Sequence, residues 1–120
     1  MTQLTQQQSS MLQTFQSHMT GKRYGDAITT GQKLLELGLP LTSEAHYTVL
    51  NDLGIAYDLS GDEVNVYMKG GEVRFRSLDR LRRAVKVAQS IDRGDLAART
   101  SELIQKLPNS YFEMLFEGLD

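Results

Sequence analysis

The chain has 120 residues, a hydrophobic content of 40%, a formal net charge of −2 and no cysteine. That size suits one domain with a modest core, and the small net charge supplies no global attraction to nucleic acid or membrane. The missing cysteine excludes a disulfide framework, thiol catalysis and thiolate metal sites.

Charge is unevenly spread along the chain. Residues 1–60 carry three basic and five acidic side chains, 61–99 carry nine and six, and 100–120 carry one and four. A basic centre is therefore followed by an acidic tail. The opening MTQLTQQQSS has neither the basic region nor the apolar core of a signal peptide, and no apolar run reaches membrane-spanning length. A soluble, cytoplasmic protein is expected.

In chain order, Leu4, Met11, Leu12, Phe15 and Met19 share about one third of a helical wheel, which predicts an amphipathic helix behind a frayed, Gln-rich start over residues 1–8. Gly21 ends it. Ala27, Ile28, Gly31, Leu34 and Leu35 repeat the pattern from about 24 to 37, with Gly38 and Pro40 as the stop. Thr42 or Ser43 can cap a third helix that reaches about Leu59. Its main stripe is Ala45, Val49, Leu50, Leu53, Ala56 and Tyr57; Ile55 and Leu59 point elsewhere, so this helix is expected to meet neighbours on two faces.

Residues 63–76, EVNVYMKGGEVRFR, fit two structures. A helix there would carry Gly70-Gly71 in its middle, at a cost of about 2 kcal/mol relative to alanine. A β-hairpin turning at the two glycines would set Lys69 against Glu72, Met68 against Val73 and Val66 against Phe75, leaving one face apolar. Ser77 can then cap a helix over 77–91 with Leu78, Leu81, Ala84, Val85, Ala88 and Ile91 inward, and Asp95 can cap another over 96–107 that Pro108 closes. The tail, residues 109–120, is dense in large apolar groups and acids. It suits either a capping helix folded on the core or a docking peptide in which Phe112 and Phe116 would meet a partner.

Gly-Asp recurs at Gly25-Asp26, Gly61-Asp62 and Gly94-Asp95, and the eleven-residue words GDAITTGQKLL from Gly25 and GDLAARTSELI from Gly94 align without a gap. A period near 34 residues, together with Leu53-Gly54, Tyr57 and Gly61 in the middle unit, resembles the tetratricopeptide repeat over about residues 8–107. The first unit lacks the Leu-Gly and Tyr positions, and the third has Arg99 where a small residue is usual. An unrelated helical bundle would share the periodicity. The resemblance implies a mainly α fold of five or six helices in antiparallel pairs, and a module that binds another macromolecule on a concave face.

Nothing points to catalysis, a metal or a cofactor. His18 and His46 have no metal-ligand spacing with each other or with a carboxylate, and Lys69-Gly70-Gly71-Glu72 lacks the length and the Lys-Ser/Thr ending of a phosphate loop. The one concentrated charge is the set Arg76, Arg80, Arg82, Arg83, Lys86 and Arg93, opposite the apolar arc of the helix over 77–91. It suits a solvated face or a contact for an acidic protein segment or phosphates, for which the planar guanidinium fork is well shaped. The expected function is a small adaptor or chaperone-like protein-binding module without catalytic activity. The alternative is a nucleic-acid-binding regulator using the same basic face.

If Leu53 is core, Leu53→Ala lowers stability by about 2–5 kcal/mol. Urea unfolding of the two proteins measures it.

Overall fold

The computed structural model describes residues 4–39 and 43–108. The chain is mainly α with one small sheet: α1 (Gln6–Thr20), α2 (Tyr24–Glu36), α3 (Glu44–Ser60), α4 (Asp62–Asn65), β1 (Val66–Lys69), β2 (Glu72–Phe75), α5 (Arg76–Ser90) and α6 (Gly94–Gln105). The N-terminal end of α1 is better anchored than its glutamines suggest. Thr5 accepts from the Gln8 amide at 3.1 Å while the Gln8 side chain accepts from the Thr5 amide at 2.9 Å, a reciprocal capping box. Gln8 is buried and also donates to the Leu37 carbonyl, at 3.3 Å, which ties the start of α1 to the end of α2; residues 1–3 of the expected frayed start lie outside the described residues.

The central helix is α3. Ser43 caps it by accepting from the His46 amide at 3.1 Å. One side packs Val49, Leu53, Ala56 and Tyr57 against Phe15, Ala27, Ile28 and Leu34 of α1 and α2. Another packs Tyr47 and Leu50 against Ala84, Val87 and Ala88 of α5 and Ala97 of α6. Two glycines permit this density. A β-carbon on Gly31 would lie 2.7 Å from a Leu53 methyl, and one on Gly54 would lie 2.6 Å from Leu81 Cγ and 3.0 Å from the Ser77 carbonyl oxygen. Leu53, Gly54 and Tyr57 are all buried, as the sequence predicts. Leu59 departs from expectation: among the described residues it is one of the exposed large hydrophobics, at 55%.

Residues 63–76 resolve into the hairpin, preceded by the single turn α4. β1 and β2 pair antiparallel with Val66 opposite Phe75, Met68 opposite Val73 and Lys69 opposite Glu72, the register the alternation predicts. Gly70 and Gly71 both have positive φ, +61° and +81°, as a two-residue turn between strands requires. The helix that follows starts at Arg76, one residue before the predicted cap. Ser77 is buried inside its first turn, and its amide donates at 2.7 Å to the side chain of Asn65, so α4 supplies the acceptor expected of Ser77.

The turns α1–α2 and α5–α6 are copies of each other. The Lys22 amide donates to Met19 and the Arg23 amide to His18; correspondingly, Asp92 donates to Gln89 and Arg93 to Ala88, with Lys22 and Asp92 left-handed at φ +59° and +58°. Structurally equivalent positions are thus 70 residues apart, which puts the Gly25 and Gly94 words one residue out of register. The same turn removes Asp95 from the capping position, because α6 already begins at Gly94 with Arg93 before it. The tail at 109–120 lies outside the described residues.

Four left-handed positions predict effects of opposite sign. Alanine at both Gly70 and Gly71 lowers stability by about 1–2 kcal/mol per site, whereas Lys22→Gly or Asp92→Gly raises it by about 0.5–1 kcal/mol. Urea midpoints of these variants against the parent chain test both.

Candidate partner-binding surface

Leu78, Leu81, Ala84, Val87 and Ala88 turn α5 toward the core, which leaves its arginines on the far side. They divide into two groups. Arg76 is committed to the fold: its guanidinium lies 4.8 Å from the centre of the Tyr67 ring and donates to the carbonyls of Val64, at 3.0 Å, and Val66, at 3.2 Å. Tyr67 in turn donates its hydroxyl to Asp79, whose carboxylate favours the protonated phenol and holds the Tyr67 pKa above its ordinary value. Arg93 is also engaged. It meets Glu44 at 3.1 Å and Asp95 at 3.0 Å, and its hydrogen bond to Asp95 draws that carboxyl below its ordinary range.

The second group is open. Arg80 and Arg83 line a groove of about 430 Å³ between α5 and α2, shared with Gln32, Leu35 and Glu36. Among the described residues, neither arginine has an ion pair within 4.0 Å, and the Nε of Arg80 is buried without a hydrogen-bond partner. Burial, followed by the like charge of Arg80, holds the Arg83 guanidinium below its ordinary pKa, with Asp79 opposing. Gln32 joins the groove to the core by donating to the hydroxyl of buried Tyr57. Arg82 and Lys86 are exposed on the outer side of α5, away from the groove lining. Of the six cations singled out in the sequence, two therefore face the groove, two face solvent and two are struts. Phe112 and Phe116 lie outside the described residues.

A second concavity, of about 180 Å³, was not apparent from sequence patterning. Ile55 and Leu59 of α3, Leu81 of α5 and Leu103 and Leu107 near the end of α6 line it, with Asp58 and Lys106 beside them. The only signal in the sequence was that Ile55 and Leu59 fall off the main stripe of their helix.

The remaining polar groups build structure. The hydroxyl of Tyr47 lies 2.6 Å from that of Thr100, which donates to Asn51 at 2.7 Å, and the Asn51 amide donates to Asp52 at 3.2 Å. This chain fixes α6 on α3. His18 accepts from Arg23 at 3.2 Å and His46 is buried. Among the described residues, no three metal-ligating side chains converge and no helix is long and apolar enough to cross a membrane.

Burial raises the Asp52 pKa above its ordinary 3.8, against the hydrogen bond from Asn51 and the charge of Arg99. The folded state thus holds this proton more tightly than the unfolded one, and stability falls as pH rises from 3.8 through the raised value. Asp52→Asn accordingly raises the melting temperature at pH 7, and the gain disappears below pH 3.8. Thermal melts of both proteins across that window measure it; a gain that ignores pH would contradict the assignment.

Comparison of the chain with family models, with curated proteins and with solved structures finds no match.

Proposed function

We propose that this chain is a small protein-binding module, an adaptor or chaperone-like protein, whose α2–α5 groove receives an acidic segment of a partner. The observation that carries the reading is the pair Arg80 and Arg83, two neighbouring guanidinium groups in a concave site with no counter-charge within ion-pair distance among the described residues. Like charges held together and partly desolvated oppose folding, and an incoming carboxylate relieves both costs. Leu35 adds an apolar wall, and Gln32 and Glu36 add polar groups that would select among acidic sequences. Identical turns 70 residues apart, twice a period of 35, support a tetratricopeptide-like repeat as the framework, a class that binds peptides on its concave side. A cytoplasmic setting suits a chain without cysteine.

The same observations weigh against duplex nucleic acid. Phosphate tracking needs several uncommitted cations along one surface. Here Arg76 and Arg93 are spent internally, Glu36 lines the groove, and Asp79 stands beside Arg80.

Capture of partners from the native host on the immobilised full chain, read by mass spectrometry, tests the proposal. Arg80→Glu with Arg83→Glu, with folding verified by far-UV circular dichroism, should weaken capture by about tenfold or more and flatten its salt dependence. Unchanged capture by the folded double variant refutes the groove. Tight, steeply salt-dependent binding to duplex DNA, abolished by Arg82→Glu with Lys86→Glu, would favour the nucleic-acid reading.

A further inference from the structure

We infer that Tyr67 is a positioning residue for the arginine groove: by engaging Asp79 it keeps that carboxylate off Arg83 and leaves Arg80 and Arg83 open to an acidic ligand. The inference rests on the groove reading above. It starts from an ion pair that the sequence sets up and the fold does not make. Asp79 and Arg83 are four residues apart on α5, with the acid on the N-terminal side. Side chains at that spacing are neighbours on the helix surface, about 5–6 Å apart at their β-carbons, and this order of charges is the favourable one. Yet among the described residues Asp79 forms no ion pair within 4.0 Å, although its charge reaches the Arg83 guanidinium.

The carboxylate is held elsewhere. Tyr67, on β1, donates its hydroxyl to Asp79, in the first turn of α5. The phenol is itself fixed, because Arg76 lies over its ring and donates to the carbonyls of Val64 and Val66. Strand, ring and first helical turn thus form one unit. The raised pKa of Tyr67 accords with this arrangement, since it keeps the phenol protonated and able to donate. Tyr67, Arg76, Asp79 and Arg80 together line a concavity of about 250 Å³, and Arg80 also lines the groove between α5 and α2. Asp79 is therefore committed to the hairpin side of Arg80, while Arg80 and Arg83 face the groove without it. Without the hydroxyl, the carboxylate is free to turn about its side-chain bonds and close on Arg83, in competition with any carboxylate that a partner brings.

Tyr67→Phe removes the hydroxyl and keeps the ring beneath Arg76, so it releases Asp79 without altering any charge. The probe is a fluorescein-labelled oligoglutamate peptide, titrated with the full chain at low salt and read by fluorescence anisotropy, with the folding of each variant verified by far-UV circular dichroism. Tyr67→Phe should weaken binding by about two- to threefold, the factor by which an i,i+4 pair of ordinary strength occupies Arg83. In the Asp79→Asn background the same substitution should change nothing. By NMR, exchange of the Arg83 guanidinium protons should slow by about the same factor in Tyr67→Phe. Weakened binding that persists in the Asp79→Asn background overturns the inference, because Tyr67 then acts on the ligand or the fold directly. Unchanged exchange at Arg83 overturns it as well. If the parent chain does not bind the peptide and Tyr67→Phe still slows Arg83 exchange, the groove reading fails while the hold of Tyr67 on Asp79 stands.

Discussion

The close approach of α3 and α5 at Gly54 governs the placement of nearly everything else. With no β-carbon there, Leu81 and the backbone of Ser77 rest directly on α3, which can then serve two cores at once. Such an approach is a steric condition that no gain in hydrophobicity elsewhere can replace, because interiors at crystal-like density cannot shift to admit a methyl group without cost. It also explains the short sheet. For α5 to begin against Gly54, the chain must leave the end of α3, reverse and return within about fifteen residues. The turn α4 and the hairpin do this, and Asn65 seals the return by accepting from Ser77.

That geometry sorts the positive charge. An arginine near the hairpin, Arg76, finds an aromatic face and two carbonyl oxygens, and one in the α5–α6 turn, Arg93, finds two carboxylates. Arg80 and Arg83, in the second turn of α5 and just beyond, look across at α2, where the facing residues are Gln32, Leu35 and Glu36. Residues indistinguishable on a helical wheel thus perform different tasks, decided by what the neighbouring elements present to them.

Much of the fold was legible because it depends on short-range periodicity. The helices of the apolar stripes lie where the stripes put them, and the strand register followed from alternation around two glycines. The capping box of Thr5 and Gln8 was also present as the spacing Thr-x-x-Gln, hidden in a run of glutamines that suggests looseness. Other features were beyond reach for definite reasons. The cap that Asn65 offers Ser77 crosses twelve residues, and the partners of Arg76 exist only once the hairpin folds. Lys22 and Asp92 stand at left-handed positions that glycine usually marks, and the Gly-Asp pairs lie one residue out of step with them. The arginine groove was legible as charge but not as a cavity, since Gln32 and Leu35 are remote in sequence.

The hydroxyl chain from Tyr47 through Thr100 to Asn51 has a consequence for how α6 is indexed. Apolar contacts alone would tolerate sliding α6 along α3, since one leucine can replace another. A displacement of one helical turn, about 5.4 Å, would strand three buried polar groups at once. The chain of hydroxyls therefore acts as a detent that admits a single longitudinal setting. That setting fixes which residues near the end of α6, Leu103 and Leu107, come to rest opposite Ile55 and Leu59.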